Sequence, residues 1–150
     1  MKKLVLGITL LFSASLLFVS CDKDEVISQA ELPSTAKSFI EANFEGTKVI
    51  TVVQDDDDLY VWEYEVKLSN GIEITFNANG EWLEIEADKD TDRLPDHLIP
   101  DAILAYVTEH YPNQGVNSIE KESHGFDVEL TNGVDLDFDH NGGFIRVDVD

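Results

Sequence analysis

Carboxylates are the chemistry this chain carries in excess: 31 Asp and Glu stand against 10 Lys and Arg, a formal net charge of −21. Asp55, Asp56, Asp57 and Asp58 run together. Two short turns, "NANG" at 77–80 and "DHNG" at 139–142, set Asn77 and Asn79, then Asp139 and Asn141, two residues apart. Oxygen donors packed into a tight loop are what calcium uses, since it takes six to eight of them. No cofactor is required by the sequence; calcium is the one these donor types suggest, held by Asp55–Asp58 or by Asp139 with Asn141. Neither turn completes an EF-hand ladder, because the donors stop after two and no glutamate closes the loop. Turn chemistry alone also explains an Asn-Gly pair, and a run of acids is ordinarily a solvated surface.

A second pattern is alternation. Glu63, Glu65, Glu73, Glu84 and Glu86 each take the outward parity of their own strand, and so do Asp127, Glu129, Asp135, Asp137, Arg146, Asp148 and Asp150. In strands, one parity is one face. Trp82 and Phe144 fall on the same parity as these charges. An aromatic framed by carboxylates is a good anchor for a protein partner, because aromatics supply much of an interface's energy. The expected partner-binding set is Trp82, Phe144, Glu63, Glu65, Glu84, Asp135, Asp137 and Arg146. The competing reading is that a bulge after each glycine turn reverses the parity and packs both aromatics inside.

Other chemistries lack their signatures. His97, His110, His124 and His140 form no HExxH or comparable metal spacing. No nucleophile elbow and no glycine-rich phosphate loop is present. Carboxylates are too numerous for any pair to mark acid–base catalysis. The expectation is a protein that is not an enzyme. So negative a surface repels nucleic acid and anionic head groups and draws cations or a protein with a basic patch.

These side chains need elements to hold them. Ala36, Phe39, Ile40 and Phe44 recur at helical spacing, as do Ile103, Tyr106, Val107 and Tyr111, each run opened by a proline, Pro33 or Pro100. Helices of about 11–12 residues are marginal alone and must dock on something. Sheet follows each. "VWEYEVKLSNG" alternates, Asn70-Gly71 marks a tight hairpin, and Ile72, Ile74, Phe76, Leu83 and Ile85 continue the apolar side. Phe126, Val128, Leu130, Asn132-Gly133, Val134, Leu136 and Phe138 repeat this, then Ile145, Val147 and Val149. The predicted fold is α+β: a tandem repeat of two α-β-β-β-β units, residues 32–90 and 91–150. Together they form an antiparallel sheet with both helices on one face and the other face open. The segment "DKDTDRLPDH" at 88–97 is the expected linker.

The N-terminus reads as an address. A basic head, Met1-Lys2-Lys3, precedes the apolar run "LVLGITLLFSASLLFV", the pattern of a signal peptide over 1–20. "FVSC" resembles a bacterial lipobox, which implies lipidation of Cys21 and a tether over 21–31. The lone cysteine forms no internal disulfide. "CDKDE" resembles the surface-export signal of Bacteroidetes lipoproteins, so the expected place is the cell envelope, periplasmic or surface-exposed. Without Lys2 and Lys3 the remaining chain carries 8 basic and 31 acidic residues, a net charge of −23.

The lipoprotein signal, the "LP…FI…F" helix, the "YEVKLSNG…F…NGEW" hairpins and their second copy together resemble the PepSY-like proteins of Bacteroidetes. That family is grouped with the β-lactamase-inhibitor-protein-like fold, and members are often labelled calcium-regulated periplasmic proteins. The resemblance implies an α+β tandem with a concave sheet face used for binding, in inhibitory or regulatory roles, and brings no catalytic residues. The expected function is a non-catalytic protein-binding or inhibitory envelope module acting through its acidic sheet face. The alternative is a calcium-binding or calcium-sensing envelope protein.

Overall fold

A computed structural model describes residues 25–56 and 62–148. Its centre is one nine-stranded sheet in which each strand pairs, antiparallel, with the next in the chain. The strands are β1 (Glu25–Val26), β2 (Val49–Asp56), β3 (Trp62–Leu68), β4 (Ile72–Asn77), β5 (Trp82–Ala87), β6 (Val116–Glu122), β7 (Gly125–Leu130), β8 (Asp135–Asp139) and β9 (Phe144–Asp148). Helix α1 (Ser34–Asn43) lies between β1 and β2, and α2 (Asp101–His110) between β5 and β6. A short 3-10 turn precedes each helix, at Gln29–Glu31 and Asp96–Leu98.

The helices form where apolar residues recur every third or fourth position. Pro33 and Pro100 each sit just before the first helical residue, one position earlier than expected. Proline has no N–H to leave unsatisfied there, and its fixed φ directs the chain into the helix. Asp101 in the first turn of α2 and His110 in its last turn suit the helix dipole.

Both helices cover the same face. Along the sheet, Val52, Val66, Ile74, Ile85, Ile119, Val128 and Leu136 stand directly opposite one another from strand to strand, and all are buried. Ala36 and Ile40 from α1 and Ile103 and Val107 from α2 join this core. Phe39 of α1 meets Phe76 edge-on at 5.9 Å, and Tyr106 of α2 meets Phe138 at 5.5 Å. Each buried aliphatic or aromatic side chain contributes about 1.5–3 kcal/mol, which fixes helices of this length where propensity alone would not.

One expectation needs correction. The segment expected as a polar tether includes β1, which pairs Glu25 with Gln54 and Val26 with Val53. After it, Ser28 and Glu31 close a capping box around the first 3-10 turn. The sheet therefore has nine strands and not eight. The segment at 88–97 runs from β5 toward α2 and is fastened to the sheet. Leu94 is buried and its N–H donates to Val116 O at 2.8 Å, while Asn117 Nδ2 donates to both Lys89 O and Asp92 O at 2.8 Å. Cys21, the expected leader at 1–20, Asp57, Asp58 and Asp150 lie outside the described residues, as does the side chain of Asp56. Among the described residues no helix is long and apolar enough to cross a membrane.

Candidate functional site

The face of the sheet away from the helices carries the charge. Strand pairing sets its side chains in two rows. One runs Glu65, Thr75, Glu84, Glu120, Asp127, Asp137, Arg146 from β3 to β9; the other runs Lys67, Glu73, Glu86, Ser118, Glu129, Asp135, Asp148. Glu63 lies on the same face, opposite Asp55 and Asn77. In these rows the only cations are Lys67 at one side and Arg146 at the other, and between them every position is a carboxylate except Thr75 and Ser118.

Lys67 holds Glu73 and, at 3.0 Å, Asp88. These two partners raise its pKa, and the lysine lowers that of Asp88. At the far side the Arg146 guanidinium donates to Asp137 and lies 3.5 Å from Asp148. Asp137 is only 4% exposed, and that arginine is its ion-pair partner. The hydrogen bond it donates to Asp137 and the nearby Asp137 and Asp148 charges raise the arginine's pKa.

Between these ends the carboxylates are strained electrostatically. Partial burial, then the charges of Glu86, Glu120 and Glu65, push Glu84 up to about 7. Glu86, Glu120, Asp127 and Glu129 are also raised, each chiefly by desolvation and then mostly by neighbouring acids. Like charges directly across strands destabilise a sheet. An open pocket of about 310 Å³ lies over this region, walled by Glu84, Glu120, Glu129, Asp135 and their neighbours. A ligand bringing positive charge relieves the repulsion and returns these groups to their ionised form.

Of the expected partner-binding residues, Glu63, Glu65, Glu84, Asp135, Asp137 and Arg146 share this face. Trp82 and Phe144 do not, and this corrects the parity count. Thr75 pairs with Glu84 while Phe76 pairs with Trp82, so Leu83 is one residue too many on β5. Asp137 pairs with Arg146 while Phe138 pairs with Phe144, leaving Ile145 extra on β9. Each bulge turns its aromatic to the helix side. There Phe144 stacks on Tyr106 at 4.4 Å, and Trp82 lies beneath the Lys121 ammonium, 3.6 Å from the ring centroid.

The expected metal donors fare differently. Asp139 Oδ1 accepts from the N–H groups of Asn141 and Gly143, at 2.8 and 2.9 Å, and these bonds lower its pKa. Asn77 Oδ1 accepts in the same way from Asn79 and Glu81. Both turns thus use this oxygen to hold themselves closed, which is a poor fit to a calcium loop. Asp55 lies on β2 opposite Glu63. The oxygen-rich set that does suit a hard cation is the one on the open face.

His124 was missed. It stands in the two-residue turn between β6 and β7, with its Nε2 2.9 Å from Asp127 Oδ1. Glu120 was missed as well, because β6 carries an irregularity between Val116 and Ser118 that obscures its alternation.

Comparison with curated proteins finds no match. Among solved structures, a "putative periplasmic protein of unknown function" from Bacteroides vulgatus is 35% identical, covering 84% of this chain and 99% of its own, with TM-score 0.76. A second putative periplasmic protein from that organism is 32% identical over 86% of this chain and 99% of its own, with TM-score 0.74. A "putative calcium-regulated periplasmic protein" from Bacteroides thetaiotaomicron is 33% identical over 84% and 97%, with TM-score 0.75. The sequence also matches, over residues 13–63 and 62–146, the family described as "Putative beta-lactamase-inhibitor-like, PepSY-like". With most of the chain accounted for by that match, this protein belongs to the PepSY-like family.

Proposed function

We propose that this chain is a non-catalytic envelope module, anchored through a lipid on Cys21, that docks a basic protein surface on its acidic sheet face. The carrying observation is the block of carboxylates on β4–β8, uncovered by either helix and raised in pKa by partial burial and then by one another's charge. A basic partner removes that repulsion, and electrostatic complementarity favours encounter and selects partners. The periplasmic description of the relatives supports the location. The same reading takes the two successive helix-plus-four-strand segments as copies of one unit, which is why two acidic half-faces merge into one. Trp82 and Phe144 act here as supports that fix the helices, and the docking set becomes Glu65, Glu84, Glu120 and Asp135, with Asp137 buried beneath them.

The test is affinity capture of the native lipoprotein from its own envelope, in low salt and in about 0.5 M salt, where screening falls to roughly 4 Å. The expected result is a partner lost at high salt and lost on Glu65→Lys with Glu120→Lys. Capture indifferent to both refutes the reading.

Calcium is a second reading, favoured by the calcium-regulated description of one relative. The site would be the open-face carboxylates, such as Glu84, Glu129 and Asp135. Calorimetry with calcium tests it: heat that saturates by about 10 mM and disappears on Glu129→Gln with Asp135→Asn supports it. No heat over that range removes it.

A further inference from the structure

We propose that His124, Asp127 and Asp137 form a binding site for a borderline divalent transition-metal ion, with zinc the best match. This goes beyond the docking reading and does not depend on it. One donor atom from each of the three lies within 4.8 Å of the other two. Their convergence comes from the sheet. Asp127 on β7 and Asp137 on β8 are directly paired across strands. The turn before Gly125 brings His124 back over its own strand, three residues from Asp127. At Gly125 an added Cβ would meet Phe138 O at 2.2 Å, so the turn is pressed against β8 and has little room to shift.

An independent observation points to a ligand. Asp127 Oδ1 is sealed from solvent and has no hydrogen-bond partner. The group beside it is the His124 ring nitrogen, at 2.9 Å, itself a metal-ligating atom. A buried acceptor left in this way is costly and is rare in folded proteins. It also faces a second carboxylate, Asp137, which is 4% exposed. A metal ion between them would occupy the orphan lone pair and cancel the repulsion. Arg146 holds the other side of Asp137, the kind of outer partner that orients a ligating carboxylate.

The donor set selects the ion. Calcium and magnesium prefer all-oxygen surroundings. An imidazole nitrogen with two carboxylate oxygens suits zinc and its neighbours, with three protein ligands and water in the remaining position. Zinc–ligand bonds are about 2.0–2.2 Å, so small side-chain rotations from the present spacing bring all three donors onto one ion.

The experiment is titration of the purified full chain with zinc chloride by calorimetry, and with cobalt(II) followed by its visible absorption. One saturable site per chain is expected, with a rise in melting temperature. His124→Ala, a change at a turn, is expected to weaken zinc at least about tenfold and to abolish the cobalt spectrum. His140→Ala, in a different turn, is expected to leave both unchanged. Equal zinc affinity in His124→Ala, or heat that never saturates at one ion per chain, overturns the proposal. A parallel calcium titration separates the two metal readings, since removing an imidazole leaves the open-face oxygens intact.

Discussion

Glu84 makes the acidic face testable through stability alone. Its pKa rises from 4.5 to about 7 on folding, first through desolvation and then through Glu86, Glu120 and Glu65. A carboxyl raised in this way is neutral in both folded and unfolded chains below pH 4.5, where it costs nothing. Between pH 4.5 and 7 the unfolded chain releases its proton before the folded one does, so stability falls as pH rises and the loss is complete above 7. The full linkage corresponds to about 3 kcal/mol. Because the side chain is only half-buried, solvent screening reduces this to about 1 kcal/mol, or about 4 °C in melting temperature for a domain of this size. Glu86, Glu120, Asp127 and Glu129 add to the slope with the same sign. Asp88 and Asp139 have lowered values and contribute oppositely, losing their stabilisation only below about pH 4. Calorimetric melts from pH 4.5 to 8 in low salt should therefore show the protein weakening toward neutral pH, and Glu84→Gln should flatten that decline. Stability that climbs through pH 7, or an unchanged slope in Glu84→Gln, would show that these carboxylates are not crowded as described.

Three further outcomes follow from the packing. Gly80→Ala places a Cβ 2.7 Å from the Ala36 backbone nitrogen at a φ of +79°, whereas Gly133→Ala, at +73°, meets nothing within 4 Å; urea midpoints should show about 1 kcal/mol lost at Gly133 and clearly more at Gly80. Phe138→Ala should cost about 3–5 kcal/mol, while Phe144→Ala, 38% exposed, should lose mainly its stacking on Tyr106, about 0.5–1.5 kcal/mol; equal losses would contradict their placement. Arg146→Ala should destabilise by about 1–3 kcal/mol by leaving Asp137 buried without its donor, and adding Asp137→Asn should recover part of that, as a double-mutant cycle would show.

Much of the architecture was legible because the apolar periods are strong. Ala36, Phe39 and Ile40 could only form a helical stripe, and Val66, Ile74 and Leu136 could only form one side of a sheet. β1 was not legible, since two residues have no period and Val26 finds its place only through Val53 on β2. The faces of Trp82 and Phe144 stayed open between two readings: counting by twos assumes one residue per rung, and only the strand pairing shows Leu83 and Ile145 breaking that assumption. The charged face survived the count because its acids lie on the regular side of each bulge. His124 carried no motif because two of the three donors meet through strand pairing. Asp127 and Asp137 are ten residues apart in the chain, and only the β7–β8 register makes them neighbours.

The order of the strands also governs how such a chain acquires its shape. Every strand finds its partner in the one made just before it, with no crossover to thread and no early strand waiting for a late one. The entropy of closing each loop is met locally, which is the condition for quick folding despite the high sheet content. A polypeptide emerging from a translocation pore, N-terminus first, can add hairpin to hairpin as each clears the exit. The first helix can settle as soon as β2 to β5 are out, before the second half has emerged.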